Sequence, residues 1–307
     1  MEYHRKHRPK SLDELVGQPT AVSQLKGFKR IPQALMLVGP SGVGKTTTAR
    51  ILRDMLGVAR SDYHEVNAAS SRGIDTVREM KLIMDKHALA KAKMCVFDEA
   101  HQLSKRKDGD AQTALLKMLE EPPRDAYYIL CTTDPDDLLK TIRTRCTKVE
   151  FKSVSEGDLL KLLHKVCKAE QLAVFENVLV EIAEAAEGGP RLALNLLNQV
   201  AGVKDVTEQL EIVKKTATKK MAHELCALLL FKQPKWQQVA ATIEQMDGQE
   251  PEEIRRVMLA YFSKIVISGN AAANKAAAFI YDIQDTPWDR CGKAGLVSFC
   301  YRYFNKK

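Results

Sequence analysis

The eight residues Gly39-Pro40-Ser41-Gly42-Val43-Gly44-Lys45-Thr46 satisfy G-x-x-x-x-G-K-[ST], and their neighbours narrow what the chain can fold into. Ala34–Val38 reads as a buried strand and Thr47–Leu56 as a helix. Glycine lets the backbone turn tightly between the two, so that N–H groups and the helix N-terminus face phosphate oxygens. Lys45 then reaches the β- and γ-phosphates of a nucleotide, and the Thr46 hydroxyl ligates Mg²⁺. At ordinary Gly and Lys usage the pattern arises by chance in about one chain in a hundred of this size. The strand before it and the helix after it make a plain glycine-rich turn the weaker account.

At 307 residues the chain is long enough for two or three domains. Apolar residues at 45% and charged residues at 28% suit a globular protein. No apolar run is long enough to span a bilayer, and Met1-Glu2-Tyr3-His4-Arg5-Lys6 lacks the apolar core of a signal peptide. The expected compartment is therefore the cytoplasm: a host's if the protein is viral, with the nucleus expected in a eukaryote. Seven cysteines without a C-x-x-C pair argue against a disulfide framework or a zinc site. Cys95 and Cys131 lie in apolar, strand-like runs, where a thiol acts as a small buried hydrophobe. A net charge of +8 permits a polyanionic partner without demanding one.

Further strands are expected at Tyr63–Asn67, Lys93–Phe97, Tyr127–Cys131 and Val149–Phe151. Between them lie helices from Ile74 to about Lys86 and from an Asp110 N-cap through Leu119, the latter stopped by Pro122-Pro123. Such alternation implies a parallel sheet covered on both faces. After Phe151 the pattern becomes helical, with starts at Ser155-Glu156-Gly157-Asp158, near Asn177 and at Pro190. From about Lys204 everything reads as helix, broken near Pro234, Gly248, Gly269 and Pro287.

Hydrolysis of a nucleotide needs a carboxylate that holds the metal and a base that positions the attacking water. Asp98 and Glu99, ending the apolar run Met94-Cys95-Val96-Phe97, have the hhhhDE form of a Walker B motif and supply both. Alone the string is common; paired with the upstream loop it completes a two-part site. Asp98-Glu99-Ala100-His101 also spells a helicase signature, but such helicases hold ATP between two tandem α/β domains. The helical pattern after Phe151 leaves no room for the second.

These residues resemble the AAA+ ATPase subunits of sliding-clamp loaders: replication factor C small subunits, bacterial polymerase III gamma/tau subunits and phage clamp-loader ATPases. The resemblance covers the first 205 residues or so. The fold it implies is α/β: an AAA+ RecA-like parallel-sheet domain over 1–152, a three-helix lid over 153–204 and an all-α collar over 205–307 that holds subunits in a ring. His7-Arg8-Pro9-Lys10, with Val16-Gly17-Gln18, is similar to the family's opening segment. That likeness places His4, Arg5, Lys6, His7, Arg8, Pro9, Val16 and Gly17 at the adenine pocket, with His7 where an aromatic is usual. The phosphate cradle runs from Gly39 through Pro40, Ser41, Gly42, Val43, Gly44, Lys45 and Thr46 to Thr47, and Thr46 and Asp98 are the implied metal ligands.

The segment Asn67–Asp75 resembles the N-A-S-x-x-R-G-I-D of replication factor C, while Leu119-Glu120-Glu121-Pro122-Pro123 and Thr132-Thr133-Asp134-Pro135 look bacterial. The resemblance makes Thr133 sensor 1, with Thr132 its neighbour. Thr144-Arg145-Cys146 stands where the family has Ser-Arg-Cys, making Arg145 the arginine finger that reaches a neighbouring subunit's ATP. Gly188–Asn195 resembles sensor 2, with Arg191 reaching from the lid to the γ-phosphate. Arg72, Ile74, Arg78 and Lys81 are the implied DNA contacts, through phosphates rather than bases. The gamma/tau zinc module is missing after the P-loop helix, and the basic loop at 105–110 is longer than its counterparts.

The implied function is ATP-driven opening and placement of a DNA polymerase clamp on primer–template DNA. ATP and Mg²⁺ serve as cofactors, and the partners are the clamp, the DNA and other loader subunits in a ring expected to be pentameric. Two alternatives are another AAA+ DNA-remodelling ATPase, such as a branch-migration motor, and a non-catalytic scaffold subunit of a loader ring. The T-R-C and L-E-E-P-P likenesses disfavour the first; the intact Lys45, Thr46, Asp98 and Glu99 disfavour the second.

Overall fold

The computed structural model describes residues 2–71, 73–86, 88, 91–103, 111–231, 234–247, 249–269, 271–284 and 288–305. The chain divides into two compact units, Met1–Gly202 and Val203–Lys307. The first takes in both the expected nucleotide-binding segment, 1–152, and nearly all of the expected lid segment.

In the first unit a short helix α1 (Tyr3–Lys6) and α2 (Pro19–Gly27) precede β1 (Ala34–Val38) and α3 (Lys45–Met55). Then come β2 (Tyr63–Asn67), α4 (Ile74–Met84), β3 (Lys93–Asp98), α5 (Ala111–Glu120), β4 (Ala126–Thr132), α6 (Lys140–Arg145) and β5 (Thr147–Glu150). The five strands pair in parallel in the order β2-β3-β4-β1-β5. Every strand therefore ends at the same edge, and β1 sits between β4 and β5, so the chain order reverses around it. Ligands of open α/β sheets bind outside the carboxyl ends at such a reversal.

Alternate residues of each strand face opposite sides, and they build two cores. Leu35 and Leu37 of β1, Val96 of β3 and Ile129 of β4 pack with Leu25 of α2 and Leu52 of α3. Met36, Phe97, Tyr128 and Leu130 pack on the other side with Val77 of α4, Leu115 of α5 and Ile142 of α6. Burial of each such side chain contributes about 1.5–3 kcal/mol. Cys95 and Cys131 are fully buried, one in each core, and burial raises both thiols well above the ordinary range.

Most boundaries fall within a few residues of the sequence reading. The last strand differs in a telling way: it starts at Thr147 rather than Val149 and stops before Phe151. It is an edge strand with one buried residue, Val149, so hydropathy misses its polar first half. Phe151 still donates its N–H to Val38 O at 2.7 Å. The expected Asp110 N-cap and the loop at 105–110 lie outside the described residues.

Beyond β5 three helices pack on one another: α7 (Glu156–Glu170), α8 (Glu176–Ala185) and α9 (Pro190–Val200). Ser155 caps α7, its Oγ accepting the Asp158 N–H at 3.2 Å. Two glycines let this subdomain close on the sheet domain's linker. A Cβ on Gly17 would lie 2.6 Å from Val154 Cγ1, and one on Gly188 would lie 2.6 Å from Ser153 Cβ; both residues have positive φ.

The second unit contains only helices among its described residues: α10 (Val206–Phe231), α11 (Trp236–Glu244), α12 (Pro251–Ile267), α13 (Ala273–Gln284), α14 (Trp288–Cys291) and α15 (Lys293–Asn305). Its core includes a chain of ring contacts running Phe262–Phe279–Phe299–Trp288. Among the described residues no helix is long and apolar enough to cross a membrane.

Candidate nucleotide-binding site

The loop after β1 is drawn back onto the sheet where Gly39 N–H donates to Thr132 O at 3.2 Å. A Cβ on Gly39 would lie 2.3 Å from Phe151 O, which only glycine avoids. α3 then opens at Lys45, two residues earlier than the Thr47 start read from the sequence. The Lys45 ammonium folds back into the loop, donating to Gly39 O and Pro40 O, each at 2.7 Å. Burial pushes the Lys45 pKa below the ordinary lysine value. The Cys131 thiol, Glu99 and Asp98 pull it up, and Arg191 pushes it down.

Asp98 ends β3 with both carboxylate oxygens engaged. Oδ2 accepts the Thr46 hydroxyl at 3.0 Å and Oδ1 accepts the Glu99 N–H at 3.2 Å. Glu99 adopts the left-handed region, φ 52 and ψ 44, unusual for a residue with a side chain. Non-glycine residues held there concentrate at functional sites. Thr46 and Asp98 thus bring two hard oxygen donors together, the donor chemistry that magnesium takes.

One cavity of about 410 Å³ joins the two halves of the unit. Ser41, Gly42, Val43, Gly44, Lys45, Thr46 and Thr47 form its floor beside Asp98 and Glu99. His4, Lys6, His7, Arg8, Pro9 and Val16 line one wall, and Arg191 lines the wall made by α9. Arg191, in the first turn of that helix, lies over the loop, where a Cβ on Gly42 would stand 3.4 Å from the Arg191 Cβ. His4 Nδ1 is buried and has no hydrogen-bond partner among the described residues.

Several expected residues stand apart from the cavity. Arg5 is 69% exposed and pairs with Glu2, because on the single turn of α1 it faces away from His4 and His7. Gly17 packs on Val154 behind the wall, while Gly39 and Pro40 serve through their carbonyls. Thr133 is exposed just past β4. Its neighbour Thr132 is buried, bonded through Oγ1 to His101 Nδ1 at 3.1 Å. With strand side chains alternating, only one of the two threonines can face His101, and the sequence offers no means of choosing between them. Arg145 ends α6 on the surface, held by Glu120. Ile74, Arg78 and Lys81 lie on α4, where Arg78 pairs with Asp75 and Lys81 with Asp85. Arg72 lies outside the described residues.

Sequence reasoning missed the lid's share of the wall: Leu162, Lys165 and Val166 of α7 and Leu194 of α9. It also missed Glu170, whose carboxylate accepts from Lys6 Nζ at 2.7 Å and sits 2.5 Å from His7 Nε2. Those two contacts, Lys6 first, hold the Glu170 carboxyl below the usual range. Gln112 was missed as well. Fully buried, it donates to Leu103 O and Asp137 O at 3.2 and 3.1 Å and accepts Leu139 N–H at 2.9 Å. A lone polar residue on an apolar helix face is the only signal that could have found it.

Known proteins fit this arrangement. Residues 53–155 match the family model described as DNA polymerase III, delta subunit, a stretch that holds Asp98, Glu99, Thr132 and Arg145 but not the P-loop. The replication factor C small subunit of Archaeoglobus fulgidus is 34% identical over 221 residues, 69% of this chain and 68% of that protein. The polymerase III subunit tau of Bacillus subtilis is 34% identical over 224 residues, 64% of this chain. This chain spans only 38% of tau's length. Among solved structures, a mutant of Thermotoga maritima RuvB superposes with a TM-score of 0.58 at 18% identity, covering 79% of this chain and 88% of that one. At that identity the likeness concerns the AAA+ fold alone. The chain belongs to the AAA+ clamp-loader subunit family, to which replication factor C small subunits and the polymerase III gamma and tau subunits also belong.

Proposed function

We propose that the protein is an ATPase subunit of a sliding-clamp loader, which binds and hydrolyses ATP to open a polymerase clamp and place it on primer–template DNA. One observation carries the reading: Lys45, Thr46, Asp98, Glu99 and Arg191 open onto one cavity between the sheet domain and the lid helices α7 and α9. The P-loop N–H groups and Lys45 hold the phosphates. Thr46 and Asp98 are the residues that would hold magnesium, which when bound neutralises charge on the β- and γ-phosphate oxygens. Glu99 orients the attacking water and takes its proton, and Arg191 carries the γ-phosphate's presence to the lid. Arg145, on the surface far along the chain from this cavity, supplies its guanidinium to the neighbouring protomer. Gripping and release of the clamp then follow assembly and dissolution of the shared sites.

In this reading residues 1–152 are the ATPase domain, 153–204 the lid and 205–307 the collar that holds a ring together. The partners are the clamp, primed DNA and other loader subunits, wherever replicating DNA is housed. Arg78, Lys81 and the start of α4 meet DNA phosphates, so binding is sequence-tolerant and weakens with salt. The test is ATP turnover measured with clamp, primed DNA and candidate partner subunits added singly and together. Stimulation that needs clamp and primed DNA together is expected; turnover indifferent to both would overturn the proposal.

A further inference from the structure

The site contains a histidine that neither the P-loop nor the acidic pair explains. His101 lies on the single 3-10 turn Ala100–Gln102 directly behind Glu99, with its side chain 10% exposed. Its Nδ1 is 3.1 Å from Thr132 Oγ1 and 3.6 Å from Glu99 Oε2. Thr132 Oγ1 also accepts the Asp134 N–H at 3.1 Å, which fixes the hydroxyl oxygen against the turn that follows β4. Glu99, for its part, has its backbone locked in the left-handed region, so the direction of its carboxylate is left to side-chain neighbours. The 3.1 Å contact with Thr132 is the hydrogen bond, while Glu99 Oε2 stands at ion-pair distance; a carboxylate only accepts, so a proton on Nδ1 favours its approach. His101 does not line the cavity.

We infer that His101 is a positioning residue, whose ring is anchored by the buried Thr132 hydroxyl at the end of β4 and in turn sets the direction of the Glu99 carboxylate beside it. The inference rests on the reading of Glu99 as the base of an ATPase. The turn Pro135–Asp137 and then α6 continue from that strand end to Arg145. The same contact therefore links a protomer's own base to the segment bearing the arginine it lends. A group that only aims the base leaves nucleotide binding alone and lowers turnover, since small misplacements of a catalytic group are costly in rate.

The experiment is steady-state ATP hydrolysis by the full-length chain assembled with its partner subunits, clamp, primed DNA and Mg²⁺, beside titration of the chain with a fluorescent ATP analogue. His101→Ala is expected to lower kcat about tenfold or more, with KM and analogue affinity within about twofold. His101→Asn, whose amide N–H reaches where Nδ1 sits, recovers most of the loss. Thr132→Val, of nearly equal shape, lowers kcat to a similar degree, and the double variant is no worse than either single one. Wild-type kcat in His101→Ala, additive losses in the double variant, or His101→Asn as poor as alanine would each overturn the inference. If His101→Ala fails to bind the analogue and so has not folded, His101→Asn and Thr132→Val decide. A wild-type assembly that hydrolyses no ATP even with clamp, primed DNA and partner subunits sinks the ATPase reading itself, a result distinct from any of these.

Discussion

Arg145 and Glu120 of one protomer are hydrogen-bonded, Nη2 to Oε1 at 2.8 Å, with Arg145 Nη1 also donating to Thr141 O at 3.1 Å. Glu120 ends α5 and Arg145 ends α6, so the L-E-E-P-P and T-R-C segments, 25 residues apart, form one spatial unit. The pair is solvent-exposed, with side chains 37% and 41% accessible, and such pairs contribute about 0–1 kcal/mol. Its consequence is orientation: the guanidinium is held off its own protomer's cavity and presented outward.

Arg145→Ala should therefore leave thermal stability and nucleotide affinity of the isolated subunit almost unchanged. Turnover by the assembled ring should fall by about three or more powers of ten. Analogue titration of the monomer and ATPase assays of the ring measure the two halves separately. Lost affinity in the monomer would show that Arg145 acts in its own site.

Glu99→Gln keeps the shape of the side chain and removes its ability to take a proton. ATP binding should persist while kcat falls by about two to four powers of ten. Lys45→Met should do the opposite to binding. It removes the ammonium aimed at the β- and γ-phosphates, so analogue affinity itself drops. Equilibrium binding set beside single-turnover hydrolysis separates the two effects.

The nucleotide site was legible where a local rule fixes it. Gly39–Thr46 and Asp98-Glu99 are contiguous, and their strand and helix flanks follow from hydropathy period alone. What could not be read was anything assembled across distance. Glu170 meets Lys6 and His7 from more than 160 residues away along the chain, and no local pattern encodes that. Arg5 was misplaced because a four-residue helix offers no hydrophobic stripe by which to phase its faces. The different settings of Thr132, buried beside His101, and Thr133, exposed, were illegible for a related reason: strand alternation fixes faces only once the strand's last residue is known. In the second unit the helix breaks were marked by proline and glycine, but its aromatic core was invisible because Phe262, Phe279 and Trp288 come from separate helices.

Gln112 should prove more important to stability than its polar character suggests. Gln112→Ala leaves Leu103 O, Asp137 O and Leu139 N–H without the partner each now has. Each buried polar group so abandoned costs about 1–3 kcal/mol. Thermal or urea unfolding should therefore show a loss of at least about 2 kcal/mol. Gln112→Glu, which turns a carboxylate oxygen toward the carbonyls of Leu103 and Asp137, should cost at least as much as the alanine variant at neutral pH.

Acid should loosen the second unit through Glu252. Its carboxylate is held by Arg255 at 2.6 and 2.8 Å and by the Trp288 N–H at 2.9 Å. Hydrogen bonding from Arg255 leads in pulling its pKa from the ordinary 4.5 to about 2, against burial. A carboxyl depressed in the folded state favours folding fully above its unfolded pKa and loses that contribution as pH falls through the folded one. The window is therefore between about 4.5 and 2. Both tryptophans, Trp236 and Trp288, lie in this unit, so intrinsic fluorescence reports on it directly. Urea midpoints of the wild type should drop across that window more steeply than those of Glu252→Gln, whose amide cannot titrate. Equal slopes would mean that the Glu252–Arg255 contact contributes nothing pH-dependent to the helical unit.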